Sequence, residues 1–220
     1  MLKKLFPVLA IVAAAMFFYA PFMILAAPYE STMGLVQKIF YFHVPAGMTL
    51  FLAAFVSGVG SAAFLFTRKP WADRMAVAGA ELAVVLGLIV LVTGPLWARK
   101  AWGVWWIWDA RVTSTLVMWL TFTSYLLLRR YGGPGSDRLS AAVALFGMVN
   151  VPFVYWSVNV WRTLHPKTSV VPTLPSGLRG PFWFCVLAFT LISVLFLILR
   201  TELEKRRQEL DELYLAVEES

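Results

Sequence analysis

Charge is scarce in this sequence: Asp, Glu, Lys and Arg make up only 14% of its 220 residues, whereas 60% are hydrophobic and 15% aromatic. A domain surrounded by water uses about 25% charged and about 45–50% apolar residues, so this chain has too little polar surface to face water on every side. It reads as a membrane protein. Cysteine is almost missing as well. The single Cys185 rules out an internal disulfide, a CxxC redox pair, a cysteine-based zinc cluster and a cysteine-anchored cofactor. Histidine occurs only as His43 and His165. No Ser–His–Asp set or paired carboxylates suggest a soluble-type hydrolase. The formal charge is +7, yet no basic run alternates with stacking aromatics in a polar setting. That excludes nucleic acid and points to anionic lipid or an anionic ligand.

Apolar length is what the sequence does have. About 20 apolar residues cross a bilayer, and six stretches qualify: Leu5 to Ala27, Val44 to Phe66, Met75 to Leu96, Val112 to Leu128, Leu139 to Val160 and Pro181 to Leu199. Lys3 and Lys4 precede the first, as in a signal peptide, but its apolar run exceeds the roughly 7–15 residues of a signal core, so it reads as a span. The expected fold is an all-α integral membrane protein, a six-transmembrane-helix bundle. With the N-terminus inside, twelve of the 19 Lys and Arg residues fall on the inner side and seven on the outer. Both termini are therefore expected in the cytoplasm.

The inner connections are short. Gly132-Gly133-Pro134-Gly135 marks a turn, and Asp137 is expected to cap the fifth helix. On the outer side, Tyr29 to Phe42 has the spacing of a short interfacial helix. Trp161 to Gly180 carries Pro166, Pro172 and Pro175 and cannot be one helix. Residues 201–220 alternate charge with Leu203, Leu210, Leu213 and Val217. They read as an amphipathic cytoplasmic C-terminal helix continuing the sixth span beyond a membrane domain of residues 1–200. Glu81, inside the third span, is expected to face the bundle interior and lock two helices. Pro152 is expected to kink the fifth.

Candidate functional residues collect on the outer side. One crossing precedes His43 and five precede His165. Both counts are odd, so the two imidazoles emerge on one face. The loop over 97–112, which follows three crossings, joins them. It contains Trp97, Trp102, Trp105, Trp106 and Trp108, five of the ten tryptophans. An aromatic belt would spread its indoles around the bundle; concentration in one loop suits a platform for a large flat ligand. Asp109 and Arg111 read equally as an ion pair folding this loop. The outer side carries seven bases, including Arg99, Lys100, Arg111 and Arg162, against the acids Glu30 and Asp109. Such a surplus suits an anionic ligand. Axial nitrogens, apolar stacking and cations for two propionates are what haem requires. Zinc fits worse, because two histidines leave its shell incomplete.

The run Trp102-Gly103-Val104-Trp105-Trp106-Ile107-Trp108-Asp109-Ala110-Arg111 resembles the WGxxWxWDxR signature of haem-handling membrane proteins of cytochrome c biogenesis. Tyr41-Phe42-His43-Val44-Pro45 and Thr163-Leu164-His165 look like segments of the haem exporter protein C branch, and the six-span layout is similar, so the resemblance covers essentially the whole chain. It departs near His165. The family pattern carries a paired tryptophan and an asparagine before Thr-Leu-His and a glutamine after it, where this chain has Val160, Trp161, Arg162 and Pro166.

The resemblance implies a multi-pass protein of the bacterial inner membrane with short periplasmic interfacial helices. It implies haem b held at the periplasmic face with His43 and His165 as axial ligands. Trp102, Gly103, Trp105, Trp106, Trp108, Asp109 and Arg111 would then form the haem and chaperone platform. The implied partners are a membrane-anchored periplasmic haem chaperone, the ATPase and permease subunits of an ABC transporter, and a small single-span accessory subunit. The implied role is haem delivery without enzymatic turnover. Two other functions are to be weighed: a cytochrome c synthase, whose members look longer and carry further intramembrane histidines, and an ABC-type permease subunit, which needs a continuous polar path and an energy source. Glu81 is the one acid placed in mid-span, and no Walker motif is present.

Overall fold

The computed structural model describes residues 2–31 and 33–218. Among them lie six α-helices: α1 (Leu2–Ala26), α2 (Phe40–Thr67), α3 (Pro70–Trp102), α4 (Ala110–Tyr131), α5 (Ser136–Val160) and α6 (Ser176–Glu218). Short 3₁₀ turns at Leu35–Ile39 and Thr168–Val170 complete the regular structure among the described residues. Several of these helices are long and apolar, as in an integral membrane protein. By length and composition, all but α4 are able to cross a bilayer.

The helix ends follow local chemistry. Arg68 adopts a left-handed conformation (φ 57°) that stops α2, and Pro70 opens α3 two residues on. Gly103, at φ 79°, ends α3, a conformation that costs any residue with a Cβ. Asp109 is the N-cap of α4, its carboxylate accepting from the Val112 N–H at 2.8 Å. At the fifth helix the expectation is corrected. Gly135, at φ 81°, occupies the cap position and Asp137 sits two residues on, in the first turn, where its charge still favours the helix N-terminus. α5 runs unbroken through Pro152.

The interfacial helix expected over Tyr29 to Phe42 is reduced to the 3₁₀ turn, which leads straight into α2. Its Lys38 reaches across to the carbonyls of Ile24 and Ala27 and so supplies the cation that the last turn of α1 lacks.

α2 lies at the centre, packed on α3, α5 and α6, while α4 bridges α3 and α5, and α1 rests on α6. Helices in lipid gain nothing from excluding water from one another, so close backbone approach through small residues must hold them. Ala53, Ser57 and Gly60 on α2 meet Ala72, Ala76 and Gly79 on α3, and Ser57 Oγ donates to the Ala76 carbonyl at 2.9 Å. α4 falls short in hydropathy because of its hydroxyls. Ser114, Thr115, Thr121 and Thr123 each donate to the carbonyl four residues back, so they add no unpaired polar group.

At the end of the bundle away from the histidines, ion pairs tie three helices together. Arg129 of α4 meets Asp73 of α3 at 2.6 Å. Arg200 of α6 pairs with Glu81 of α3 (Nη2 to Oε1 2.7 Å) and with Glu204. Glu81 thus locks α3 to α6, as expected of a carboxylate in a span. Beyond Arg200, α6 continues without a break to Glu218, its side chains exposed from Leu210 onward.

Candidate functional site

His43, His165 and Arg111 lie at the same end of the bundle, near enough for their charges to act on one another. His43 lies in the first turn of α2 and faces α3. Its Nδ1 is 2.9 Å from Thr93 Oγ1, and that hydroxyl already gives its proton to the Ile89 carbonyl at 2.7 Å. Thr93 can therefore only accept from the ring, so Nδ1 carries the hydrogen and Nε2 the lone pair. Gly94 lies close to the same ring: a Cβ there would stand 3.3 Å from His43 Cε1.

The second imidazole is prepared in the same way. His165 Nδ1 is 3.0 Å from the Pro166 carbonyl, an acceptor only, so Nδ1 is the donor and Nε2 is again left with its lone pair. Burial, reinforced by the Arg111 charge, lowers the His165 pKa from 6.5 to about 4 despite the Pro166 bond and Asp109. It is neutral at physiological pH. Its backbone hangs from α4: the His165 N–H donates to Thr163 Oγ1 at 3.0 Å, and the Thr163 hydroxyl donates to Asp109 Oδ2. Asp109 thus holds the helix N-terminus with one oxygen and the histidine loop with the other.

Asp109 and Arg111 are not an ion pair among the described residues. Arg111 Nη1 instead donates to the Val154 carbonyl at 2.6 Å and its guanidinium lies 5.7 Å from the Phe51 ring centre, so it joins α4 to α5 and α2. The tryptophan-rich segment is also shorter than expected. Residues 97–102 belong to the last turns of α3 and the loop spans 103–109. Its indoles do not form a flat sheet. Trp97 and Trp102 meet edge to face at 87°, Trp106 and Trp108 at 72°, and Trp105 lies under the Arg99 guanidinium.

A groove of about 800 Å³, within the range of cofactor sites, opens beside His165 and is walled by Ile107, Trp108, Asp109, Trp161, Arg162 and Lys167. Of the expected site residues, Trp108, Asp109 and His165 line it. His43, Trp102, Gly103, Trp105, Trp106 and Arg111 are not among its walls. Thr93 and Gly94 were not singled out from sequence, and Thr163 was noted only as part of the Thr163-Leu164-His165 segment. The only hint was Thr93-Gly94-Pro95 interrupting an otherwise apolar span.

The family model described as "Heme exporter protein C" matches residues 1–215. This chain belongs to that family. A haem exporter protein C of Bradyrhizobium diazoefficiens is 36% identical over 192 residues, covering 82% of this chain and 72% of its own length. The haem exporter protein C of Escherichia coli K12 is 32% identical, with 86% and 80% covered. A ccmC-like mitochondrial protein of cytochrome c biosynthesis from Marchantia polymorpha is 31% identical, with 80% and 76% covered. Family membership extends over both histidine segments and the tryptophan-rich loop of this haem exporter protein C relative.

Proposed function

We propose that this chain binds haem b at the periplasmic face of the bacterial inner membrane, with Nε2 of His43 and of His165 as axial ligands, for export towards cytochrome c maturation. The observation that carries this reading is the pair of Nδ1 contacts: each imidazole sets Nδ1 against an oxygen, Thr93 Oγ1 or the Pro166 carbonyl, an arrangement that assigns the hydrogen to Nδ1 and leaves Nε2 for a metal. Among the described residues no group of three or more His, Cys, Asp or Glu side chains forms a metal site. A metal held by two imidazoles alone must bring its other ligands with it, and a porphyrin supplies four nitrogens.

The chain's own residues orient and screen the ligand. Thr93 and Gly94 fix the plane of the His43 ring, while Asp109 and Thr163 fix the loop that carries His165. Arg111 clamps the end of α5 from which that loop departs. Trp102, Gly103, Trp105, Trp106, Trp108, Asp109 and Arg111 together shape the platform on which a membrane-anchored periplasmic haem chaperone docks. The protein acts by handover without turnover of its own, alongside ABC transporter ATPase and permease subunits and a small single-span subunit. In this reading all six helices cross the bilayer with both termini cytoplasmic. The back-bonded hydroxyls of α4 and the inner bias of Lys and Arg support that topology.

The test is an optical titration of the haem-free, detergent-solubilised chain. The expected product is a low-spin spectrum of two imidazoles, and a five-coordinate spectrum or no saturable binding would sink the reading. Thr93→Val keeps the shape but removes the acceptor, and should weaken haem binding about tenfold, in the range of lost outer-shell partners. Unchanged affinity in that variant would remove Thr93 from the site. Trp106→Ala and Asp109→Ala should slow chaperone loading more than they lower the melting temperature. Asp109→Ala should lose about 1 kcal/mol of stability with the N-cap. Normal loading by both variants would return the loop to an interfacial belt.

A further inference from the structure

The basic residues at the histidine end of the bundle divide into committed and uncommitted cations. Lys38 is spent on the Ile24 and Ala27 carbonyls, Arg99 on Gly103, Arg111 on Val154, and Arg179 on Leu174 at 2.6 Å. Arg111, the cation nearest the two imidazoles, is therefore turned into the protein. Arg162 and Lys167 are different. Among the described residues neither makes an ion pair or a side-chain hydrogen bond, and both line the groove that contains His165. Lys100 is also uncommitted but lies outside that groove.

Two free cations and one imidazole therefore share an open groove whose other walls are mostly apolar, Ile107, Trp108, Trp161 and Leu164 among them, and whose one carboxylate, Asp109, is committed to the Val112 N–H and the Thr163 hydroxyl. A ligand suited to all three is a flat apolar body with a metal at its centre and carboxylates at one edge. We propose that Arg162 and Lys167 receive the two carboxylates of the groove's ligand, which are the propionates of haem in the reading above, on which this inference rests. Arg162 offers a planar fork that grips one carboxylate with two hydrogen bonds, and Lys167 offers a compact charge to the other. Arg162 and Lys167 would fix the carboxylate edge of the ligand in the groove, while His165 would offer its Nε2 to the metal. Both cations are exposed, so their attraction falls as salt screens it.

The test compares haem with its dimethyl ester, in which both carboxylates are masked, by Soret titration of the full-length haem-free chain. The native protein should prefer haem over the diester about tenfold or more, with the preference shrinking in high salt. Arg162→Gln and Lys167→Gln should each reduce it about threefold, and the double variant should abolish it. Diester affinity and the bis-imidazole band positions should stay as in the native chain, showing that the groove is intact, and Lys100→Gln should match the native protein throughout. A native chain that does not discriminate between the two porphyrins, or a double variant that still does, overturns the assignment while leaving the histidine reading in place. Loss of the bis-imidazole spectrum with both porphyrins in the native chain overturns the histidine reading, and this assignment with it.

Discussion

Alanine at His43 is expected to abolish the two-imidazole spectrum and weaken haem binding by at least about 100-fold, since loss of even an outer-shell partner costs about 10–100-fold. The substitution removes one axial nitrogen and leaves Thr93 bonded to Ile89, so the surrounding helix is undisturbed. The space left lies between α2 and α3 beside Gly94, and added imidazole should enter it and restore the low-spin bands. His165→Ala should produce the same spectral change from the loop side. Restoration by free imidazole separates loss of a ligand from loss of the fold, which no small molecule would repair. Native-like spectra in both alanine variants would end the axial assignment.

Gly79→Ala is expected to lower the thermal midpoint in detergent and to weaken haem binding together. The added Cβ would stand 2.6 Å from the Ser57 nitrogen and 3.0 Å from the Ala53 carbonyl oxygen, which are backbone atoms that no rotamer change can move aside. α2 and α3 must separate, at a cost of about 1–3 kcal/mol for overpacking of this kind. The same separation acts on the site, because α2 carries His43 and α3 carries Thr93, and their 2.9 Å bond spans the two helices. Gly47→Ala is the matched comparison: its Cβ would meet only the Val90 side chain, at 3.9 Å, so both properties should stay near native. Equal midpoints for the two variants, read by size-exclusion chromatography after heating, would contradict the close-packing account.

The long helices were legible because bilayer thickness demands apolar runs of a set length, and that demand overrides local propensity. α4 was legible by length, although its threonines and serines dilute its hydropathy. The approach of His43 to His165 was foreshadowed by counting crossings, a property of topology that needs no side-chain detail. The roles of Asp109 and Arg111 were not legible. Residues two apart on a helix point to different sides, so the pair that looked like neighbours in sequence faces different partners. Thr93 escaped notice because its significance comes from a residue on another helix. The cap of α5 went to Gly135 rather than Asp137 because only glycine takes the required positive φ there without strain. The tryptophans signalled a special loop, but how each ring tilts depends on contacts such as Arg99 over Trp105 that no spacing encodes.

The two imidazoles are mechanically unequal. His43 is built into a helix whose backbone touches its neighbour, whereas His165 hangs on a strap fastened by Thr163 to one carboxylate oxygen of Asp109. A pull on that loop would therefore unfasten the strap before it shifts the helix. The arrangement is a fixed jaw opposed by a latch, and in the proposed reading whatever lifts that latch would set when bound haem is released.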